Sequence, residues 1–130
     1  MTDRLSPYAP YSHAVLRIVA GLLFVHSGLI VLFNIPASTY PAPPEEMATL
    51  MTIAGWMELI GGAFILVGFL TRPVAFILSG MMAVAYWGFH VPMNFWPANN
   101  MGVAAILYCF IFLHLVFAGA GPWSIDGRVR

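Results

Sequence analysis

Four long apolar runs, separated by short polar or proline-rich segments, make up most of the chain. They predict four helices, at about residues 14–35, 47–70, 73–95 and 101–118. Each run has roughly 18–24 residues, enough to cross about 30 Å of hydrocarbon at about 1.5 Å per residue. Residues 14–119 are therefore predicted to form one transmembrane domain, between a polar lead (1–13) and a short tail (120–130).

The breaks between the runs carry recognisable turn signals. Residues 36–46 include four prolines and end in Glu45-Glu46, so they predict a loop that leads into a helix with an acidic first turn. Thr71-Arg72-Pro73 predicts a tight turn with proline at the start of the third helix. Asn99-Asn100 offers a cap for the fourth helix.

The composition agrees with a membrane protein. Hydrophobic residues make up 61% of the chain and charged residues 8%, whereas soluble domains carry about 25% charged residues. A net charge of zero, with no basic stripe, argues against nucleic acid as a partner. The sequence thus predicts an all-α, integral membrane four-helix bundle whose first partner is the lipid bilayer.

The positive charges are distributed unevenly, which predicts an orientation. Four helices place both termini and the second-to-third turn on one side, and every arginine lies near that side: Arg4, Arg17, Arg72, Arg128 and Arg130. The opposite side carries Glu45 and Glu46. The positive-inside rule therefore predicts a multi-pass protein with both termini in the cytoplasm.

Glu58 is the only ionisable residue in the second apolar run after its acidic start. A lone carboxylate in hydrocarbon costs at least a few kcal/mol, so Glu58 must be protonated, paired or next to a wet cavity. The adjacent Gly61 and Gly62 are interpreted as notches that let other helices approach.

Counting residues from the cytoplasmic helix ends places three further polar side chains near the depth of Glu58. His26, Tyr86 and Tyr108 each lie about 18–20 Å up their helices. Together these residues could form a midplane cluster, with His26 and Tyr86 as the expected hydrogen-bond partners of Glu58.

Tyr86, His90 and Asn94 follow one another at four-residue intervals, so they form a polar stripe on one helix face. The stripe can be interpreted as an entry for a small headgroup or a proton, or as a helix contact held by hydrogen bonds. Arg17 lies nine positions before His26, about half a turn around the same helix, so the two side chains face different directions. Arg17 is expected to pair near the cytoplasmic boundary or to extend to lipid headgroups.

Metal and haem sites are not predicted. The helices contain no HxxxH or HxxE motif, and His26 differs in depth from His90 by about 8 Å and from His114 by about 9 Å, too much for shared haem ligation. Cys109 is the single cysteine, which excludes an intramolecular disulfide.

Several short motifs occur in a characteristic order along the chain. They are Leu16-Arg17-Ile18, Phe24-Val25-His26-Ser27-Gly28, Glu58-Leu59-Ile60-Gly61-Gly62, Gly68-Phe69-Leu70-Thr71-Arg72, His90, Asn99-Asn100, and the closing segment from Gly119 to Asp126. This combination resembles the DoxX family, from about Leu16 to Asp126. Structural roles are assigned to Arg17, Arg72, Gly61, Gly62 and Asp126.

The resemblance implies a small four-helix protein of the cytoplasmic membrane, related to a subunit of a quinone-linked respiratory system. A quinone is then the expected ligand, other membrane subunits or further copies of the chain are the expected partners, and no cofactor is expected to be intrinsic. Two positions depart from the family: Val31 replaces a common lysine, and Val103 replaces a common glutamate near the start of the fourth helix.

Three functions remain open at this point. The first is a membrane subunit of a quinone-linked oxidoreductase, with Glu58, His26, Tyr86, His90, Asn94 and Tyr108 as candidates for ligand binding or proton relay. The second, favoured by the two missing charges, is a non-catalytic structural or assembly subunit of a larger complex. The third is a small transporter or channel, for which one bundle of this size leaves little room.

Overall fold

The computed structural model describes residues 2–129, and the described residues form helices and connections without any strand. Its four main helices are α1 (Ala9–Phe33), α2 (Glu45–Val67), α3 (Thr71–Ala85) and α4 (Val103–Ala118). The prediction of an all-α protein with four helices is confirmed.

Helix α1 begins at Ala9, earlier than the predicted start near residue 14. A short 3₁₀ turn, Ser6–Tyr8, precedes it directly, and Pro7 and Pro10 lie in the first turns of these helices. Proline is tolerated there because the first N–H groups of a helix have no intrahelical acceptor. The apolar run marks where the chain becomes hydrophobic, which is not where the helix starts.

Helix α2 ends at Val67 because Gly68 takes a left-handed conformation, with φ of 68°. The N–H of Phe69 then donates to the Phe64 carbonyl at 2.9 Å, which closes the helix end. Leu70 is also left-handed, with φ of 47°, and turns the chain into α3. The predicted end at residue 70 included this turn. Thr71-Arg72-Pro73, predicted to form the turn, is instead the first turn of α3, with Pro73 at its third position.

Helix α3 continues as a π-helix over Tyr86–His90, so that the helical stretch runs from Thr71 to His90. A 3₁₀ turn, Pro97–Asn99, follows before α4 begins at Val103.

Three helical stretches are long and apolar enough to cross a membrane: Ser6–Phe33, Glu45–Val67 and Thr71–His90. Helix α4 is apolar but has 16 residues, about 24 Å at the usual rise per residue. The described residues therefore include three candidate spans by length and composition, and a fourth crossing by α4 stays a prediction.

Glycines bring α1 and α2 into backbone contact. A Cβ at Gly21 would lie 2.9 Å from the Gly62 carbonyl oxygen, and one at Gly28 would lie 2.8 Å from that of Gly55. The two glycines in each helix are seven residues apart, which is close to two turns, so both contacts fall on one face. Any side chain at these positions would force the helices apart.

The core lies where all four helices meet. Phe24 of α1, Ile65 of α2, Leu78 of α3 and Phe112 of α4 are each at most 2% exposed. Helices α3 and α4 also share a hydrogen bond, because the Ser79 hydroxyl donates to the Cys109 carbonyl at 2.8 Å. Helix α2 meets α3 over a shorter contact than either α1–α2 or α3–α4.

The bundle has two ends of different construction. The arginine end contains the start of α1, the α2–α3 turn, the end of α4 and residues 119–128. Two hydrogen bonds hold these parts together: the Ile125 N–H donates to the Val67 carbonyl, and the His13 side chain donates to the Gly119 carbonyl. The loop end contains the α1–α2 loop and the connection 86–102. Arg130, counted above among the arginines of one side, lies outside the described residues.

Candidate functional site

Glu58 lies on α2 between the two glycine contacts with α1. Because the helix backbones are so close there, the short side chain of Ser27 on α1 lies within hydrogen-bonding reach of the Glu58 carboxyl. The second oxygen, Oε2, is buried and has no hydrogen-bond partner among the described residues. Ser27 is thus placed to partner the carboxyl from α1, while Oε2 can still accept a hydrogen bond or carry a proton.

Tyr108 of α4 approaches the same carboxyl and lies within electrostatic range of it. Its ring packs against Phe24, at a centroid distance of 4.9 Å, and against Phe112, at 5.7 Å. The structure thus brings two of the predicted site residues, Glu58 and Tyr108, into one neighbourhood with aromatic walls.

His26 is placed elsewhere. It lies at the depth of the cluster, but its side chain is exposed on the outer surface of α1, and Ser27 occupies the position next to Glu58. Successive residues of a helix point about 100° apart, so a depth count cannot tell neighbouring residues apart. A signal in the sequence could have identified Ser27. It is adjacent to Gly28, which lies with Gly21 on the face of α1 that contacts α2.

The residues of the predicted polar stripe make hydrogen bonds and packing contacts within the connection between α3 and α4. His90 Nδ1 lies 2.8 Å from the Asn100 carbonyl oxygen, so Nδ1 carries the proton, because a carbonyl only accepts. The His90 ring stacks on Tyr86 at a centroid distance of 6.4 Å, and Tyr86 packs on Gly102. Of the two interpretations of the stripe, the geometry corresponds to a contact held by hydrogen bonds.

Asn100 is the centre of this connection and is fully buried. Its amide donates to the Asn94 carbonyl at 2.9 Å, and its side-chain oxygen accepts from the Gly102 N–H at 2.7 Å. The side chain of Asn94 accepts from the Trp96 N–H. The predicted cap of the fourth helix by Asn99-Asn100 is wrong, because Gly102 is the N-cap of α4 and no side chain caps it. Asn100 instead joins this network, which follows only from the folded loop.

Arg17 is also fully buried, although an exposed position at the headgroups was one expectation for it. Its guanidinium donates five hydrogen bonds to backbone carbonyls: those of Ile65 and Leu66 at 2.9 and 2.6 Å, and those of Ala120, Pro122 and Trp123 at 2.8, 3.3 and 2.8 Å. The last carbonyls of a helix lack intrahelical donors, so Arg17 satisfies the end of α2 and ties the tail to it.

The remaining residues assigned structural roles lie at close contacts. The Asp126 carboxylate accepts from the Leu70 and Thr71 N–H groups at 3.0 and 2.9 Å, which caps α3. Arg72 donates to the Val116 and Phe117 carbonyls, both at 2.7 Å. Gly62 meets the backbone of α1, whereas a Cβ at Gly61 would lie 2.9 Å from the Leu78 side chain of α3.

A histidine pair at the arginine end was not foreseen. His13 and His114 approach to 3.2 Å between Nδ1 and Nε2, and His13 Nε2 donates to the Gly119 carbonyl at 2.9 Å. Among the described residues, no group of three or more histidine, cysteine, aspartate or glutamate side chains is placed to hold a metal ion.

Long apolar helices with a buried carboxyl between two of them define a helical membrane protein with a polar site in its interior. The DoxX family model matches residues 12–91. The chain belongs to the DoxX family of membrane proteins.

Similar proteins extend the match over nearly the whole chain. An uncharacterised protein of Haemophilus influenzae is 36% identical over 129 residues, covering 97% of this chain and 96% of its own length. An uncharacterised membrane protein of Mycobacterium tuberculosis is 27% identical over 135 residues, covering 92% of this chain and 82% of its own. No solved structure matches the chain significantly.

Proposed function

We propose that this protein is a small membrane subunit of a quinone-linked oxidoreductase system, and that Glu58 handles a proton at the quinone headgroup. The observation that carries the proposal is the buried Oε2 of Glu58, which has no hydrogen-bond partner among the described residues. Unsatisfied buried acceptors are rare in folded proteins, and they occur where a ligand or proton completes the site.

The chemistry of a carboxyl fits this role. When protonated, Glu58 can donate a hydrogen bond to a quinone carbonyl, and when ionised it can accept one from a hydroquinone hydroxyl. Reduction of a quinone to a hydroquinone needs two electrons and two protons. The proposal gives proton handling to this chain and gives electron transfer to a partner subunit, because a protein without its own redox cofactor supplies only binding and electrostatics.

The proposed placement is the cell inner membrane, with both termini in the cytoplasm. The described arginines Arg4, Arg17, Arg72 and Arg128 belong to the arginine end, while Glu45 and Glu46 begin α2 at the loop end. The positive-inside rule then supports a cytoplasmic arginine end. Fusions of a reporter that fluoresces only in the cytoplasm, at either terminus, should be bright; a dark fusion at both termini would contradict this orientation.

A non-catalytic structural subunit is the second candidate. This candidate is favoured by the contacts of the polar stripe, because His90 and Asn94 are both hydrogen-bonded to Asn100 within the loop end. Under this proposal Glu58 and Ser27 form a buried hydrogen bond between α1 and α2, and nothing else binds there. Hydrogen bonds of this kind between membrane helices contribute about 0.6 kcal/mol on average.

The substitution Glu58→Gln separates the two candidates. It keeps the size of the side chain and an acceptor oxygen for Ser27, but it removes the carboxyl group that can gain or lose a proton. Quinone-dependent turnover of the native complex, extracted in mild detergent, should fall by at least about tenfold, the usual size of a general acid–base contribution being about 10²–10⁴. Complex yield and melting temperature should stay near those of the unmodified protein.

The matched control is Glu46→Gln, which neutralises an exposed carboxylate at the start of the same helix. Turnover of that variant should be unchanged. If Glu58→Gln lowers yield or melting temperature while turnover per complex stays normal, the structural role is correct and the proton-handling role is wrong.

A further inference from the structure

The arginine end contains a cavity that the proposed function does not use. It has a volume of about 720 Å³ and lies between the α2–α3 turn and the tail, with Leu70, Thr71, Arg72, Gly119, Pro122 and Ile125 among its lining residues. Most of this wall is apolar, and among the described residues its charged side chains are Arg72 and Asp126. An apolar pocket with a few polar groups is the usual form of a binding site.

Arg72 is held in position at this cavity and still has hydrogen-bonding capacity. Its Nη1 donates to the Val116 and Phe117 carbonyls, which fixes the plane of the guanidinium over the end of α4. The hydrogen bonds of the described residues use Nη1 only, so Nε and Nη2 keep their donors. An arginine with two neighbouring donors matches the geometry of a phosphate group.

Thr71 adds a second polar group to the same wall. The residue is 1% exposed, and its Oγ1 has no hydrogen-bond partner among the described residues. A buried hydroxyl without a partner is unfavourable unless something completes it. A ligand oxygen that reached this hydroxyl from the cavity would complete it.

The electrostatic surroundings favour an anion. Arg17 is buried behind the α2–α3 turn, and Arg4 and Arg128 are exposed at the same end. The Asp126 carboxylate directs its oxygens to the Leu70 and Thr71 N–H groups, so its charge is engaged by the helix start and by Arg17.

From these observations we propose that Arg72 and Thr71 bind the phosphate group of an anionic phospholipid at the arginine end. The phosphate would lie against the free donors of Arg72 at the membrane boundary. The exposed apolar side chains of Phe69 in the turn and of Phe76 and Ile77 in α3 offer a surface for its acyl chains. The site would fix a lipid where the tail, α2, α3 and α4 meet, and so would stabilise that junction.

The test compares melting temperatures of the purified full-length protein in detergent with added phosphatidylglycerol, with phosphatidylcholine, and with inorganic phosphate. Phosphatidylglycerol should raise the melting temperature by about 5 °C or more over phosphatidylcholine at the same concentration, since a ligand of the native state stabilises it. Equal shifts with the two lipids would overturn the proposal. An equal shift with inorganic phosphate alone would show that the lipid assignment is wrong.

Two variants locate the site. Arg72→Gln should lose most of the shift produced by phosphatidylglycerol, whereas Arg128→Gln, which removes an exposed charge of the same end outside the cavity wall, should keep it. If both variants lose the shift equally, a diffuse surface charge binds the lipid and the site at Arg72 is wrong.

A third variant avoids dependence on the folding of Arg72→Gln. Thr71→Val removes only the hydroxyl that has no partner, so its melting temperature without lipid should not fall. The shift with phosphatidylglycerol should be smaller than in the unmodified protein. If phosphatidylglycerol shifts the melting temperature of both Thr71→Val and Arg72→Gln as much as that of the unmodified protein, the site is rejected.

Discussion

The two ends of the bundle each rely on one fully buried polar side chain, and the two differ in kind. Arg17 binds carbonyls that are 48 to 106 residues away in sequence. The Asn100 side chain binds groups only two and six residues away. Arg17 can therefore form its bonds only after α1, α2 and the tail have come together, whereas Asn100 shapes its own loop.

Charge also separates the two ends. A guanidinium stays protonated in proteins and offers five N–H donors, so it can satisfy several carbonyls at once. An amide is neutral and offers two donors and one acceptor oxygen. Losing Arg17 leaves unsatisfied carbonyls both at the end of α2 and in the tail, whereas losing Asn100 leaves a local defect. The arginine end should thus be the more sensitive to substitution.

The largest effect is expected for Arg17→Met, which keeps much of the apolar volume and removes all five hydrogen bonds. We expect a loss of more than about 3 kcal/mol in the free energy of unfolding, because buried carbonyls lose donors that carried a charge. Equilibrium unfolding in detergent measures it. Arg128→Met, at an exposed position, is the control, and equal losses in both would refute the special role of Arg17.

A smaller loss, about 2–3 kcal/mol, is expected for Gly62→Ala. The new Cβ would lie 2.7 Å from the Val25 backbone nitrogen, so α1 and α2 must move apart, and overpacking of this kind costs about 1–3 kcal/mol. The movement would also pull Arg17 from the Ile65 and Leu66 carbonyls.

The control for Gly62→Ala is Gly80→Ala, where no atom lies within 4 Å of the new Cβ. That variant should be neutral or slightly more stable, since alanine favours helix by up to about 1 kcal/mol over glycine. Comparable destabilisation in both variants would mean that the close approach of α1 and α2 contributes little.

At the loop end, Asn100→Ala should cost about 2 kcal/mol, because the Asn94 carbonyl and the Gly102 N–H both lose their partner. Hydrogen exchange should accelerate within residues 94–102 and remain slow at the arginine end. Asn99→Ala, at an exposed neighbour, should change neither quantity. Faster exchange throughout the bundle would show that the loop end is not a local unit.

The smallest effect is expected for Asp126→Ala, which removes the cap from the start of α3. Loss of a helix cap costs about 1 kcal/mol. The melting temperature should fall slightly, and the amides of Leu70 and Thr71 should exchange faster. A loss as large as that of Arg17→Met would mean that the tail, rather than the guanidinium, holds the arginine end.

The candidate site shows how far a depth count can reach. The rise per residue put Glu58 and Tyr108 at one level, and the structure places them within electrostatic range. The same count put His26 there, but the fold turns it outward and selects Ser27. Depth depends only on position along a helix, whereas the facing direction depends on how that helix packs against its neighbours.

The sequence by itself determined the class of the protein, the four helices and the special position of Glu58. Hydrophobic length and the cost of a charge in hydrocarbon are properties of the chain, so they need no tertiary information. The family could also be identified from the sequence, because its resemblance rests on short motifs of contiguous residues.

The tertiary structure alone decided which polar groups meet. Arg17 and Asn100 became buried because backbone carbonyls and N–H groups of distant or irregular segments surround them, and no local pattern encodes those partners. The pairing of Gly21 with Gly62 and of Gly28 with Gly55 set the register of α1 on α2. That register brought Ser27 to Glu58, because backbone contact fixes every side chain between the two glycine pairs.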